Sequence, residues 1–409
     1  MEFLPDDLVA GILRRLAPRD LAMARGVCRA WRSLIDVRRL LRTDLLPLST
    51  LGGIFINFHA QSFSEYFFPI TSTAISSMAD YVPFSSKRDD RYVTCHCNGL
   101  LLLEGDYVVN PATRWWTHVP PPPSHRPLDF GCTFLVFDPA LSPHYELFSV
   151  RQLIYRDHVD SVVTEEGSQW PPSSCILHVF SSSSKAASGW EDRLFVRDGE
   201  AAAIVTDKRT RMVKEDSPVY YKRATYIPCE TNIVLRVSLS DTKYRAIKPP
   251  SAIGVKEVLH LGKSKDGVYF ASLGSTGRDG VERLRIWVLS ESCGRTEWLS
   301  KYRADISWAL RENLESWVLQ DVNYKYKYGH LANDCNEKRQ KIAYGTFLIL
   351  GFHPFEEVVF LSQALRWGLA YDLTSSKLQC LGYLYPKKYN QFSEGEYILQ
   401  AYPYTPCWM

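Results

Sequence analysis

Between Leu4 and Leu16 the apolar residues Leu4, Leu8, Ile12, Leu13 and Leu16 recur at helical spacing and predict an amphipathic helix. Pro5, Asp6 and Asp7 stand where a first turn tolerates proline and favours acids. Pro18 breaks that helix, Asp20 can cap the next, and Leu21, Ala24, Val27 and Cys28 give the second helix an apolar face. A third short helix carries Trp31, Leu34 and Ile35 on one side, with Arg29, Arg32, Arg38 and Arg39 mostly on the other. So small a unit cannot bury all of these side chains within itself, and the surplus should face another protein.

From about Leu51 the pattern changes to short apolar and aromatic runs broken by Gly, Pro, Ser and Asp, which predicts a mostly-β region. Six hairpins share one form, an apolar strand, a polar or Gly/Pro turn, and a second strand opening on an aromatic. They are Tyr107 to Asn110 then Trp115, Leu135 to Asp138 then Tyr145, Ile176 to Phe180 then Trp190, Val234 to Leu239 then Tyr244, Leu284 to Leu289 then Trp298, and Leu369 to Leu373, where Leu378 replaces the aromatic. Their starts, from Tyr107 to Leu369, are unevenly spaced, with an average of roughly fifty positions that suits a four-stranded propeller blade with variable loops. A two-sheet sandwich rarely needs about 350 residues, whereas a ring of blades grows by repetition and keeps its edges short. The expected fold is therefore multidomain: a small all-α module over residues 1–45 and a large mostly-β domain over 50–405, a β-propeller with degenerate blades. The number of blades stays open, with six to eight as the range. The run LLPLSTLGGIFINF is apolar and enters the β region directly, so no long flexible linker is expected between the parts.

Composition sharpens this division. Of 53 Phe, Tyr and Trp, only Phe3 and Trp31 lie in the segment that ends at Arg42, which holds nine Arg, no Lys and five acids. That segment therefore carries +4 and the rest of the chain −1, so the +3 of the whole does not by itself point to a nucleic-acid partner. No apolar run approaches the roughly 18 to 20 residues of a membrane-spanning helix. Ten Cys without a CxxC pair are no zinc or redox framework, and the start MEFLPDDL lacks the regions of a signal peptide. Reduced thiols in cytosol or nucleus are the expectation. In an extended strand Cys95 and Cys97 share a face while His96 points away, which favours buried strand cysteines over a metal site.

Catalytic patterns are missing from the expected places. Gly262-Lys263-Ser264 lacks the upstream Gly of a phosphate loop, and Gly274-Ser275-Thr276-Gly277 lacks the spacing of a nucleophile elbow. Nothing selects a triad among the ten scattered His. Pro120 to Pro123 predicts a stiff extended connection between blades. Ser181 to Ser184 and Lys325 to Tyr328 read as solvated loops or an edge strand.

The order LPDDLVAGILRRL followed by APRDLAMARGVCRAWRSLI resembles the F-box, the helical module that docks a substrate receptor onto the Skp adaptor of a cullin-based ubiquitin ligase. The resemblance runs from Leu4 to Ile35, with Ala17-Pro18 and Gly26 as departures. It implies that Leu4, Pro5, Leu8, Ile12, Leu13, Leu16, Leu21, Val27, Cys28, Trp31, Leu34 and Ile35 are the adaptor-facing or motif-core set. CHCNGLLLL, YVVNPATRWWTHVPPPP, FDPALSPHYELFSV and YRAIKPP are similar to the F-box-associated, kelch-like propeller region of plant F-box proteins, although the paired glycines of true kelch repeats are missing. The resemblance implies a non-catalytic substrate-receptor subunit of an SCF-type ubiquitin ligase, with a Skp-family adaptor and a protein target as partners and no cofactor, metal, nucleic acid or membrane. A propeller scaffold with a vestigial F-box is the alternative. A helical cap on the larger domain, and a helix-turn-helix DNA reader using the nine Arg, are further readings of the first segment; against the second, acids are interspersed and the third helix has no Asn or Gln to read bases.

Overall fold

A computed structural model describes residues 5–16, 20–21, 24–25, 27–38, 40, 50–59, 61–70, 78–80, 82, 91–121, 133–150, 169–184, 189–204, 218–229, 232–250, 259–275, 282–292, 295–306, 311–313, 317–320, 347–363, 365–386 and 397–408. Leu4, Pro18, Gly26, the end of the proline run at Pro122-Pro123, Thr276-Gly277 and Lys325 to Tyr328 lie outside the described residues. At the N-terminus, helix α1 spans Asp6–Leu13 and helix α2 spans Arg29–Val37. Asp20, Leu21 and Ala24 are helical as well.

Apart from the 3-10 turn Met78–Asp80, the other described elements are strands, and most fall into six four-stranded arrays; Gln169–Trp170 pairs separately with Ala203–Ile204. Blade 1 is Val93–Cys97, Leu100–Leu103, Tyr107–Asn110 and Trp115–His118; blade 2 is Thr133–Val136, Glu146–Ser149, Ser174–Ser181 and Trp190–Arg197. Blade 3 is Val219–Tyr221, Ala224–Pro228, Val234–Ser238 and Lys243–Ile247; blade 4 is Leu259–Ser264, Gly267–Ser275, Glu282–Ser292 and Arg295–Ile306. Blades 2 and 3 join into one eight-stranded sheet through parallel pairing of Trp190–Arg197 with Lys243–Ile247. Blade 5 is Phe347–Phe352, Val358–Gln363, Trp367–Asp372 and Lys377–Tyr383, with Arg311–Asn313 added in parallel at its outer edge. Blade 6 runs in the order Ile398–Tyr404, Gly53–Phe58, Glu65–Pro69 and Trp317–Leu319. The first strand of every blade, or the turn at its end, borders one central cavity, which makes these the inner strands of a propeller-like ring.

All six hairpins expected from the sequence form with antiparallel pairing. They do not map one to a blade. Two of them, at Leu135 and Ile176, belong to blade 2, and blade 6 has none. The inner strands begin at Val93, Thr133, Val219, Leu259, Phe347 and Ile398, so the average hairpin spacing mixed short blades with blades carrying long insertions.

Hydrophobic clusters occupy the seams between neighbouring sheets. One spans blades 1 to 3 around Phe148, Phe195 and Tyr244, and others join blades 3 and 4 (Tyr226, Phe270), 4 and 5 (Tyr269, Leu361), 5 and 6 (Phe67, Phe360) and 6 and 1 (Phe55, Leu101). Buried aromatic residues therefore pack blade on blade, each burying large apolar area. Inner strands approach so closely that Gly262 has no room for a side chain: a Cβ there would lie 2.2 Å from the Phe352 ring of the next blade.

Blade 6 closes the ring from three distant parts of the chain, and a buried polar network locks it to blade 1. The Asn57 amide donates to the Val93 carbonyl at 2.7 Å and the Ser64 hydroxyl donates to Asn57 Oδ1 at 2.5 Å. The Val93 N–H donates to Ser64 Oγ at 2.8 Å, and the Tyr402 hydroxyl donates to the Thr94 carbonyl at 3.1 Å. Replacing Asn57 leaves buried partners unpaired, each costing about 1–3 kcal/mol. Asn57→Ala is therefore expected to destabilise the folded chain by about 2–4 kcal/mol, measured as a lower urea midpoint with an unchanged slope. A shift equivalent to less than about 0.5 kcal/mol, the scale of an ordinary surface substitution, would show that the network does not hold the seam.

Candidate functional site

The helical module is held by few groups. Pro5 precedes α1 in extended geometry, its carbonyl accepting from the Leu8 and Val9 N–H groups at 2.9 and 3.2 Å. Cys28 caps α2, its Sγ accepting from the Trp31 N–H at 3.5 Å. Arg38, beyond the C-terminal end of α2, meets Asp7 in the first turn of α1 at 2.8 Å, each charge sitting at the helix end whose dipole favours it. Arg25 pairs with Asp36 at 2.9 Å. The basic residues Arg14, Arg15, Arg29, Arg32 and Arg38 are exposed, as solvated faces.

Leu4 aside, the residues singled out in the sequence, eleven in number, divide by burial. Leu13, Leu21 and Ile35 form the interior with Ala24, and Trp31 and Leu34 pack half-buried against them. These six bury their apolar surface within the module, so a partner touches at most the open sides of Trp31 and Leu34. Pro5 and Cys28 are exposed and act on the backbone as caps. Leu8, Ile12, Leu16 and Val27 are left in solvent at 57%, 55%, 37% and 65% exposure, and Leu8, Ile12 and Leu16 follow one another at four-residue spacing along one stripe. Val37, 76% exposed at the end of α2, adds a further bare apolar side chain that the motif did not point to; its spacing of three from Leu34 was the available signal. Holding such a stripe in water costs free energy, and its chemistry is that of a protein-docking face.

The second candidate surface is the central cavity, of about 410 Å³. All six inner strands, or the turns at their ends, reach it: His96 and Cys97 of blade 1, Asp138 after blade 2's inner strand, Tyr220 of blade 3, His260 and Lys263 of blade 4, Phe352 of blade 5 and Pro403 of blade 6. Cys95 and Cys97 face the core on one side of their strand, as alternation requires, and Cys97 Sγ accepts from the Phe137 N–H at 3.2 Å. Burial pushes the Cys95 thiol up to about 12, and the Cys97 thiol is raised as well, so both are protonated thiols. The Tyr220 hydroxyl donates to Asp138 Oδ2 at 3.3 Å, and burial with the nearby carboxylate raises its pKa. His96, on the opposite side of its strand, opens onto the cavity, and desolvation followed by the positive charge of Lys263 pushes it down to about 4. Among the described residues no group of three or more His, Cys, Asp or Glu is placed to hold a metal ion, and no helix is long and apolar enough to cross a membrane.

The comparisons with known proteins fit this layout. The family model for F-box-like domains matches residues 1–46, so the chain carries an F-box-like domain at its N-terminus, followed by a mostly-β, propeller-like domain. A putative F-box protein of Arabidopsis thaliana is 30% identical over 127 residues, 30% of this chain and 34% of that protein. An F-box/kelch-repeat protein of the same plant is 27% identical over 144 residues, 31% of this chain and 32% of that protein. The chain thus spans about a third of the length of the curated relatives it matches.

Two outcomes follow from this geometry. Because the unfolded chain takes up a proton at His96 near pH 6.5 and the folded chain only near 4, folding stability contributed by this group is present above 6.5 and falls as pH drops through that window. An NMR titration of the His96 ring should therefore show a midpoint near 4 rather than near 6.5. In the helical module, Leu13→Ala should cost about 2–5 kcal/mol, whereas Ile12→Ala should stay within about 0.5 kcal/mol. Limited proteolysis of the helical module in the full chain reads the difference.

Proposed function

We propose that this chain is a substrate-receptor subunit of an SCF-type ubiquitin ligase. Residues 1–45 bind a Skp-family adaptor, and residues 50–405 capture a protein target. The observation that carries this is the bare stripe Leu8, Ile12 and Leu16 with Val27, standing on a module whose own core is already filled by Leu13, Leu21 and Ile35. Burying a Leu or Ile contributes about 1.5–3 kcal/mol before the costs of association, so a few such anchors are enough for a tight complex. F-box proteins in general are substrate adaptors rather than catalysts. The chemistry asked of such a receptor is proximity: it raises the effective concentration of a target lysine near the charged ubiquitin carrier, and no side chain of its own needs to react. The seven described cysteines are thiols and six of them are buried, which supports residence in the reducing cytosol or nucleus. Neither nucleic acid nor membrane is a partner in this role.

The test is co-purification with a Skp adaptor. The wild-type chain should retain it, and Leu8→Asp or Ile12→Asp should lose at least tenfold in retention while the chain stays folded, because both positions are solvent-exposed. Leu13→Asp would be a poor probe, since it puts a charge into the module's core. Adaptor binding absent from the wild type, with targets still captured, would instead mark a scaffold without ligase recruitment.

A further inference from the structure

The cavity mouth holds a lysine that forms an ion pair with no carboxylate among the described residues. Lys263 is half-buried on the inner strand of blade 4, and among the described residues no carboxylate lies within ion-pair distance of it. Several other half-buried cations of the ring meet a carboxylate: Lys301 meets Glu357 at 2.8 Å, Arg236 meets Glu291 at 3.2 Å, and Arg193 meets Glu146 at 3.2 Å. Taking an ammonium partly out of water without a partner costs free energy, which a ligand carrying the opposite charge would offset. Asp138 is the one carboxylate among the described residues lining the cavity, and the groups it accepts from are not Lys263. Asp138 accepts from the Tyr220 hydroxyl and the Ala140 N–H, at 3.3 and 3.2 Å.

The number and kind of charges narrow the ligand. Among the described residues no Arg lines the cavity, so the bidentate fork that recognises a doubly charged phosphoryl group is missing. Lys222 also reaches the rim, but it is exposed to water and its ammonium lies 5.1 Å from the centre of the Tyr221 ring. That leaves Lys263 as the half-buried cation, and one lysine balances one negative charge. His96 and His260 add imidazoles that hydrogen-bond without needing to be cations. Around them, Phe352, Phe355, Pro354 and Pro403 offer apolar surface. A volume of about 410 Å³ falls at the lower end of ligand pockets, enough for a few side chains.

We propose that this mouth binds a peptide carboxylate, with Lys263 Nζ as its counter-ion and the proline and phenylalanine wall receiving the apolar residue beside it. That the carboxylate belongs to a protein rests on the receptor role proposed above. The Lys263 site deepens that role by naming what the β domain selects, a segment pairing an acidic with an apolar residue.

A displayed library of random dodecapeptides, selected on the full-length chain and on Lys263→Met and Lys263→Glu, tests this. The wild type should enrich Asp or Glu at one fixed position next to an apolar residue. Lys263→Met should lose the acidic preference, and Lys263→Glu should replace it with Lys or Arg. In the enriched peptide, made synthetically, Glu→Gln should bind about ten- to a hundredfold more weakly, the weight of one charge-assisted hydrogen bond. Phosphoserine in place of that Glu should bind no tighter, and tighter binding would overturn the choice of a monoanion. Selection of no peptide, or an acidic preference that survives Lys263→Glu in a chain with unchanged melting, would overturn the site itself. Adaptor co-purification, run on the same preparations, separates the two ideas: its failure in wild type removes the receptor role and leaves acid selection at Lys263 standing.

Discussion

The pairing of Gly53–Phe58 with Ile398–Tyr404 is the constraint on which the β domain depends. A sheet edge left open exposes unsatisfied backbone groups, and a ring of blades has such an edge until its first and last segments meet. Here they meet through six register partners, from Gly53 opposite Tyr404 to Phe58 opposite Ile398. The polar network around Asn57 then ties this joint to blade 1, and Asn110 adds a donor to the Cys407 carbonyl at 2.9 Å. Everything inside the ring follows from that joint. The cavity has six walls only when the last inner strand is in place, since Ala401, Pro403, Thr405 and Pro406 form one of them.

Much of this was legible in the sequence because it rests on local periodicity. The six hairpins are nearest-neighbour pairings, and their aromatic openings such as Trp115, Tyr145 and Trp190 mark strands that pack on the next sheet. Alternation alone placed Cys95 and Cys97 inward and His96 away from them. Blade 6 was not legible, because its strands come from residues 53–69, 317–319 and 398–404 and no hairpin signal joins segments so far apart. The parallel strand Arg311–Asn313 on blade 5 was invisible for the same reason.

At the helical module, sequence pattern identified which residues are apolar but not which way each faces. Helical spacing puts Leu8 and Ile12 on one side and Leu13 on another, yet choosing the buried side requires knowing where α2 crosses. Packing of Leu13, Leu21 and Ile35 into one small core decides it. The cavity lysine was beyond the sequence altogether. Lys263 stood out there only as part of a failed phosphate-loop pattern, and its interest comes from five other blades converging on it.

The three-part last blade also orders events during synthesis. Strand Glu65–Pro69 leaves the ribosome well before Ile398–Tyr404 is made. At about 5–20 residues per second, a stretch on the order of 300 residues takes roughly 15 to 60 seconds, and for that time the growing chain carries an unclosed edge. The helical module can fold at the outset, but the mouth beside Lys263 exists only once the last strand is made. A chain cut short before residue 398 would present the helical module and an unpaired sheet edge with no finished cavity, which makes it a substrate for aggregation or clearance rather than a slightly weakened fold.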